Sequence, residues 1–216
     1  PYPVINHVGE ISGGLKPTGS RTKGCSDKSK AQVQIRTACF AEGQTDIAYG
    51  FGNFFIGDFG RGEICAIMYS YYFAKDVGAL FGIGGHRHDW ESVVVWVREN
   101  HKVVGVSYSG HGQFQKLRGD DADRIGSHPK VDYTYRNGTT EFTHSMREGT
   151  GDKRFYTTGL KINSWNTMAL YRPNLLSALE EHDFGSAIYP QDNTRFAIEL
   201  NRAWNTAWQE YDGVAW

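Results

Sequence analysis

The feature that most constrains the fold is a pair of valine-rich runs, residues 91–98 and 102–108, separated by Glu99-Asn100-His101. Valine, tryptophan and tyrosine favour extended backbone because branched and aromatic side chains pack well on a pleated surface. Asn100 tolerates the left-handed backbone of a tight turn, so the two runs are predicted to form a β-hairpin. A chain built around such a hairpin is expected to be rich in β-structure.

Other short apolar segments extend this prediction to a mainly β protein. Most are rich in Val, Ile, Tyr or Phe and lie between segments that contain glycine and serine. Two stretches have helical spacing instead, one opening at Pro173 and one covering residues 194–208, and both are expected to pack outside the sheets. The candidate strands are residues 31–36, 65–73, 91–98, 102–108, 131–135 and 154–158.

The chain shows no repeat, linker or break in composition, so we expect one domain over residues 1–216. A formal net charge of −1 gives no broad basic surface, which makes nucleic acid an unexpected partner. No run approaches the ~18–20 apolar residues of a transmembrane helix. Residues 49–62 and 77–85 are glycine-rich without a clean period and are predicted to be long loops. Residues 1–4 lack the pattern of a signal peptide, as a processed secreted chain would.

Ionisable residues are densest in one heptapeptide, Gly85-His86-Arg87-His88-Asp89-Trp90-Glu91, which leads into the apolar run 93–97. Alternate residues of a strand share a face, so Asp89 and Glu91 are predicted to lie on the same side as Val93. Two carboxylates ~4 Å apart repel by about 4 kcal/mol at an effective dielectric of ~20, and a bound cation removes that cost. The pattern therefore predicts a divalent cation site.

Spacing alone leaves several alternatives open. Oxygen ligands favour Mg²⁺ or Ca²⁺, whereas imidazoles from His86 and His88 favour Zn²⁺, which would point to a metal-dependent hydrolase. Arg87 alternatively pairs with one of the acidic residues on a solvated loop. His111 and His128 lie in turn-like segments and are candidates for lining the same cavity.

The heptapeptide 85–91 resembles, at every position, the signature of the necrosis- and ethylene-inducing peptide-like proteins, or NLP cytolysins. Residues 66–76 resemble the family's other recurring segment, with Ala74 where proline is common. Further resemblances span nearly the whole chain, at residues 12–19, 109–112, 128–131 and 182–185.

This resemblance implies a single-domain β-sandwich of two antiparallel sheets with a few peripheral helices, similar to actinoporins and some fungal lectins. It also implies a divalent cation, Mg²⁺ or Ca²⁺, with Asp76 and Asp89 as direct ligands. His86 and Glu91 would complete the site directly or through water. No catalytic residue is implied, and the activity is expected to be non-enzymatic.

The function implied by the resemblance is that of a secreted, necrosis-inducing virulence factor of plant pathogens. Such a toxin binds glycosylated inositol phosphorylceramide in plant plasma membranes, permeabilises the membrane and triggers defence. Plant immune receptors detect the family segment that residues 66–76 match. We expect a monomer in solution, and a non-lytic sugar-binding member of the family is a further alternative. Candidates for pressing into the membrane interface, or for folding back as a small core, are Phe51, Phe54, Phe55 and Phe81.

The three cysteines are an odd number, which leaves at least one without a partner inside the chain. In the family, a cysteine upstream of the region matched here pairs with the position of Cys25. We therefore predict a disulfide between Cys39 and Cys65.

Overall fold

The computed structural model of the chain describes residues 32–41, 63–76, 86–98, 101–110, 112–126, 128–135, 144–149, 161–205 and 208. Strands predominate in these ranges, and the helices come late in the chain. The strands are β1 (Gln32–Ala41), β2 (Glu63–Asp76), β3 (His86–Arg98), β4 (Val103–Gly110), β5 (Gln113–Arg118), β6 (Arg124–Ile125), β7 (His128–Pro129), β8 (Val131–Tyr135), β9 (His144–Glu148) and β10 (Lys161–Ser164). The helices are α1 (Trp165–Tyr171), α2 (Pro173–Glu181) and α3 (Arg195–Ala203).

The main element is a six-stranded sheet in the order β10-β1-β2-β3-β4-β5, antiparallel except where β10 runs parallel to β1. The predicted hairpin forms its β3–β4 pair, with Val93 opposite Tyr108. At the turn, His101 adopts the left-handed conformation with a φ of 62°, and Asn100 lies outside the described residues. The hairpin prediction is confirmed.

Strand β3 is buried on both faces of the sheet, which explains its continuous apolar sequence. Val93 and Val95 belong to one core cluster, while Val94 and Trp96 belong to another on the opposite side. A strand covered on both sides gains from apolar residues at every position, so the usual alternation with polar residues disappears. The valine run therefore indicates a central strand.

The second layer of the sandwich is the antiparallel hairpin β8–β9, which covers one face of the main sheet. Val131, Tyr133 and Met146 from this hairpin pack with Tyr71 and Val106 from the main sheet. The two layers bury apolar side chains between them, as the hydrophobic effect requires of stacked sheets. The predicted mainly β sandwich is confirmed.

Helices cover the opposite face of the main sheet, as predicted. Helix α2 begins at Pro173 and buries Leu176 and Leu179. Helix α3 ends at Ala203, earlier than predicted, because Trp204 adopts an extended conformation. Among the described residues, no helix has both the length and the apolar character needed to cross a bilayer.

Six of the described elements escaped the sequence analysis: strands β5, β6, β7, β9 and β10 and helix α1. Strand β5 (Gln113–Arg118) is an edge strand with mostly exposed side chains, so its sequence carries no apolar alternation. Helix α1 (Trp165–Tyr171) has only seven residues, too few for a helical period to stand out. The predicted strand 154–158 lies outside the described residues, as do the predicted loops 49–62 and 77–85.

Cys39 and Cys65 form a disulfide that joins β1 to β2, where they are direct partners across the ladder. The predicted pairing is confirmed. Cys25 lies outside the described residues.

Candidate functional site

A cavity of about 220 Å³ opens beside the first half of β3. Its other walls come from the end of β2, the facing ends of β4 and β5, residues 186–190 and helix α3. Among the described lining residues the charged side chains are Asp76, Asp89, Glu91, Glu199 and Arg202. The cavity is therefore strongly acidic.

Strand register brings the predicted carboxylates to this cavity. Asp89 lies opposite Phe73, and Glu91 lies opposite Tyr71. Direct partners in an antiparallel ladder point to the same face, and both aromatic residues belong to the core cluster that contains Val93. Asp89 and Glu91 thus share the face of Val93, as the alternation predicted.

Asp76 reaches the same cavity from the last position of β2, opposite His86. Asp76, Asp89 and Glu91 retain only 4%, 7% and 5% of their exposure. Buried carboxylates are rare unless hydrogen bonds or cations compensate for the lost hydration. Their convergence on one cavity indicates a binding role.

Hydroxyl groups support two of these carboxylates. The Tyr133 hydroxyl on β8 donates a 2.6 Å hydrogen bond to Asp89 Oδ2. The Ser109 hydroxyl on β4 donates to Glu91 Oε2 and accepts a 2.6 Å hydrogen bond from the backbone N–H of Ser92. One hydroxyl makes both contacts because it has one proton to donate and two lone pairs to accept.

The electrostatics of the cavity oppose ionisation of Glu91. Burial raises the pKa of Glu91 well above its ordinary value, the charges of Asp89, Asp76 and Glu199 act in the same direction, and the Ser109 hydrogen bond acts against them. Burial also raises the pKa of the Tyr133 hydroxyl, which keeps it a hydrogen-bond donor to Asp89. A cation in this cavity would relieve the repulsion.

His88 belongs to an aromatic cluster beside the cavity and is absent from the cavity's described lining. Its backbone has a φ of 61°, the left-handed region that non-glycine residues rarely adopt. The ring Nδ1 lies 2.8 Å from the Tyr72 hydroxyl, and the ring packs edge-on against His182 and Phe184. This placement gives no support to the zinc pair that His86 and His88 would form.

The remaining predicted site residues are not among the described residues that line the cavity. His128 is exposed on β7 and is not among the described residues of the cavity wall. The side chains of His86 and Arg87, and all of Gly85 and His111, lie outside the described part of the structure, as do Phe51, Phe54, Phe55 and Phe81. Among the side chains that are described, no three from His, Cys, Asp and Glu are arranged to hold a metal ion as they stand.

The sequence analysis missed Glu199 and Arg202 in the cavity wall, and it missed Tyr133, which supports Asp89 from the second layer. Tyr133 lies 44 positions from Asp89 and meets it only because β8 stacks on the main sheet. Glu199 and Arg202 occupy one side of α3, where charged residues ordinarily indicate a solvated face. No local pattern could have found these contacts, because each depends on how two layers pack.

A buried arginine anchors residues 191–193, which directly follow the segment 186–190 of the cavity wall. Arg36 on β1 donates to the Gln191 carbonyl at 2.6 Å and to Asn193 Oδ1 at 2.9 Å, and its guanidinium lies 3.9 Å from the centre of the Trp165 ring. The Gln191 side-chain amide donates to the carbonyls of Gln34 and Met68 on the sheet. These bonds tie the segment after residue 190 to β1 and β2.

Comparison with known proteins gives consistent matches along the chain. The model of the family described as necrosis inducing protein (NPP1) matches residues 1–55 and 58–203. NLP effector protein 2 of Phytophthora capsici is 32% identical over 209 residues, which cover 94% of this chain and 72% of that protein.

Solved structures match with similar coverage. The structure of NLPPya in complex with glucosamine aligns with a TM-score of 0.63 at 30% identity, covering 95% of this chain and 81% of that one. The structure of the non-toxic HaNLP3 protein aligns with a TM-score of 0.65 at 27% identity, covering 94% and 82%.

Proposed function

Since the chain belongs to the family of necrosis-inducing proteins (NPP1), we propose that it is a secreted cytolysin that binds a plant membrane glycolipid through a divalent cation in its acidic cavity. The bound lipid is glycosylated inositol phosphorylceramide, and the outcome is permeabilisation of the membrane and necrosis. The proposed activity makes and breaks no covalent bond.

The observation that carries this proposal is the convergence of Asp76, Asp89 and Glu91 on one cavity while each is more than nine-tenths buried. Their mutual repulsion and their lost hydration destabilise the folded protein. A bound cation would offset both. The donors suit a hard cation in type, because carboxylate and hydroxyl oxygens are the ligands of Mg²⁺ and Ca²⁺.

Asp76 and Asp89 would hold the ion directly, and Glu91 and His86 would do so directly or through water. The described carboxylates need further donors or a small closing movement to complete a coordination shell. Tyr133 and Ser109 orient Asp89 and Glu91 through hydrogen bonds, which restricts their freedom before an ion binds. A hard ion with open positions supplies coordination sites for the hydroxyls of a sugar.

Similarity to NLPPya, whose structure contains glucosamine, supports a sugar as the ligand. We propose that the cavity takes the outermost sugar of the lipid head group. A sugar held there would keep the protein at the bilayer surface, where Phe51, Phe54, Phe55 and Phe81 are proposed to enter the interface. The Cys39–Cys65 disulfide fits an oxidising, extracellular location.

Calcein release from lipid vesicles tests this function. Vesicles with plant glycosylated inositol phosphorylceramide, in buffer with Ca²⁺ or Mg²⁺, should leak on addition of the protein. Leakage should stop when EDTA is added or when Asp89→Asn replaces the wild type. Asp121→Asn, at an exposed turn after β5, is the matched control and should leak normally. Release that is indifferent to the lipid or to EDTA would overturn the proposal.

A second candidate function is non-lytic recognition, because the non-toxic HaNLP3 protein shares this fold. Residues 66–76 form most of β2, which lies between β1 and β3, and Met68, Tyr71 and Tyr72 are fully buried. An immune receptor that reads this segment would therefore require it to be released from the fold. Leaf infiltration separates the candidates: necrosis that Asp89→Asn abolishes supports lysis, whereas defence without necrosis from either protein supports recognition alone.

A further inference from the structure

Among the described residues, one positively charged side chain lines the acidic cavity. Arg202, near the end of α3, is the only lysine or arginine among the described residues that line it. The same lining holds four carboxylates, from Asp76, Asp89, Glu91 and Glu199. Binding of a cation and a neutral sugar does not itself require a guanidinium in the cavity wall.

The guanidinium is both held in place and accessible. Arg202 Nη1 lies 3.1 Å from Glu199 Oε1, one turn earlier on the helix. Glu199 is mostly buried, whereas 47% of the Arg202 side chain is exposed. An arginine has five N–H donors in a planar fork, and the bond to Glu199 uses one of them. The remaining donors are available to a ligand in the cavity.

The helix that presents Arg202 is firmly seated. Phe196, Leu200 and Ala203 are fully buried against the main sheet. After the helix, Lys116 Nζ on β5 donates a 2.6 Å hydrogen bond to the carbonyl of Trp204. A guanidinium on a rigid element loses little freedom on binding, which favours recognition of a ligand.

We propose that Arg202 is a specificity-determining residue that binds an anionic group, a phosphate or a carboxylate, carried by the sugar ligand of the cavity. The inference rests on the proposed function of the acidic residues and adds the charge of the substrate to it. An anionic sugar would be repelled by the four carboxylates unless its charge faced Arg202, so the arginine fixes the orientation of the ligand as well as its class. Guanidinium groups suit this task because they pair with phosphate and carboxylate through two parallel hydrogen bonds.

The simpler role for Arg202 is to neutralise Glu199. A helix pair at this spacing contributes only about 0.2–0.5 kcal/mol when exposed. That role requires no position in the cavity wall, and it predicts no preference among sugars. The two roles can therefore be distinguished by comparing the affinities of the protein for sugars with and without an anionic group.

Isothermal titration calorimetry with glucosamine and glucosamine 6-phosphate, in buffer containing Ca²⁺, tests the proposal. The wild type should bind the phosphorylated sugar about tenfold more tightly, equivalent to about 1.4 kcal/mol. Arg202→Gln should remove this preference, and Arg202→Lys should restore part of it. Arg195→Gln, on the same helix but outside the described cavity lining, should keep the full preference. Thermal melting of each variant verifies folding.

Vesicle binding distinguishes the sources of the anionic group. If it belongs to a lipid head group, Arg202→Gln should weaken binding to vesicles of glycosylated inositol phosphorylceramide. If it belongs to a free sugar phosphate, vesicle binding should be unchanged while the calorimetric preference is lost. The proposal would be overturned if Arg202→Gln kept the preference for glucosamine 6-phosphate, or if the wild type bound both sugars equally well. Neither result would contradict the proposed function of the cavity. Failure of the wild type to bind either sugar would contradict both.

Discussion

The hydroxyl of Tyr133 on β8 donates a 2.6 Å hydrogen bond to Oδ2 of Asp89 on β3. This contact joins the two layers of the sandwich at the acidic cavity, and the ring of Tyr133 stacks on Phe73 with 3.7 Å between ring centres. The second layer thus supports the site as well as the core. Loss of the Tyr133–Asp89 hydrogen bond should affect both the stability of the fold and the orientation of the Asp89 carboxylate.

Tyr133→Phe is expected to lower the free energy of unfolding by about 1–3 kcal/mol, because Asp89 would lose a donor while remaining buried. Urea unfolding at neutral pH without divalent cations measures the change. Tyr108→Phe is the control, since Tyr108 is buried in the same cluster but donates to the neutral Lys130 carbonyl at 3.4 Å. Its loss should be below about 1 kcal/mol. Equal losses would contradict a special role for the Asp89 contact.

The raised pKa of Glu91 predicts how stability changes with pH in the cation-free protein. Because the folded state holds this proton more tightly than the unfolded state, the contribution is fully present below the ordinary value of 4.5 and is lost as pH rises toward the folded pKa. The free energy of unfolding should fall by up to about 1.4 kcal/mol per pH unit in that window. Urea unfolding in EDTA across the window measures it.

Glu91→Gln should remove most of this slope, and Glu181→Gln, at an exposed position of α2, should leave it unchanged. Adding Ca²⁺ or Mg²⁺ should reduce the slope in the wild type, because a bound cation favours the ionised carboxylate. A wild-type slope that matches that of Glu91→Gln would show that Glu91 titrates normally.

Much of the fold was predictable because its signals are local. The valine runs, the proline at the start of α2 and the apolar spacing of α3 all depend on neighbours within a few residues. Strand alternation also placed Asp89 and Glu91 correctly on the face of Val93.

The contacts that complete the cavity were not predictable from local pattern. Glu199 and Arg202 line it from α3, and Tyr133 on β8 supports Asp89, so their contribution depends on the packing of separate layers. His88 shows the opposite case: its motif suggested a metal ligand, and a φ of 61° with the Tyr72 contact places it in an aromatic cluster. A strand pattern contains no information about such a local departure from extended backbone.

Arg36→Lys tests the two buried hydrogen bonds from Arg36 to Gln191 and Asn193. Burial lowers the pKa of Arg36 to about 10, so the group stays charged at neutral pH. Lysine keeps the charge but lacks the planar fork that reaches both Gln191 and Asn193. We expect the free energy of unfolding to fall by about 2–3 kcal/mol and hydrogen exchange to become faster in residues 191–193. Arg118→Lys, at an exposed position of β5, is the control and should change neither quantity. If Arg36→Lys also changed neither, the hydrogen bonds of Arg36 would not be needed for stability.

Replacing Cys39 and Cys65 together with serine should lower the free energy of unfolding by about 3 kcal/mol, given their separation of 26 residues. Glucosamine binding should persist in the folded variant, because Cys65 and Asp76 lie near opposite ends of β2. Urea unfolding and calorimetry measure the two effects. Loss of binding under conditions where the variant is fully folded would mean that the disulfide and the cavity are coupled.

The central claim is that Asp76, Asp89 and Glu91 hold a divalent cation. Calorimetric titration of Ca²⁺ and Mg²⁺ into the metal-free protein tests it most directly, with Asp89→Asn as the variant and Asp121→Asn as the control. We predict saturable binding of one ion per chain by the wild type and the control, and its loss in Asp89→Asn. Absence of binding to the wild type, or binding that Asp89→Asn leaves unchanged, would contradict the account.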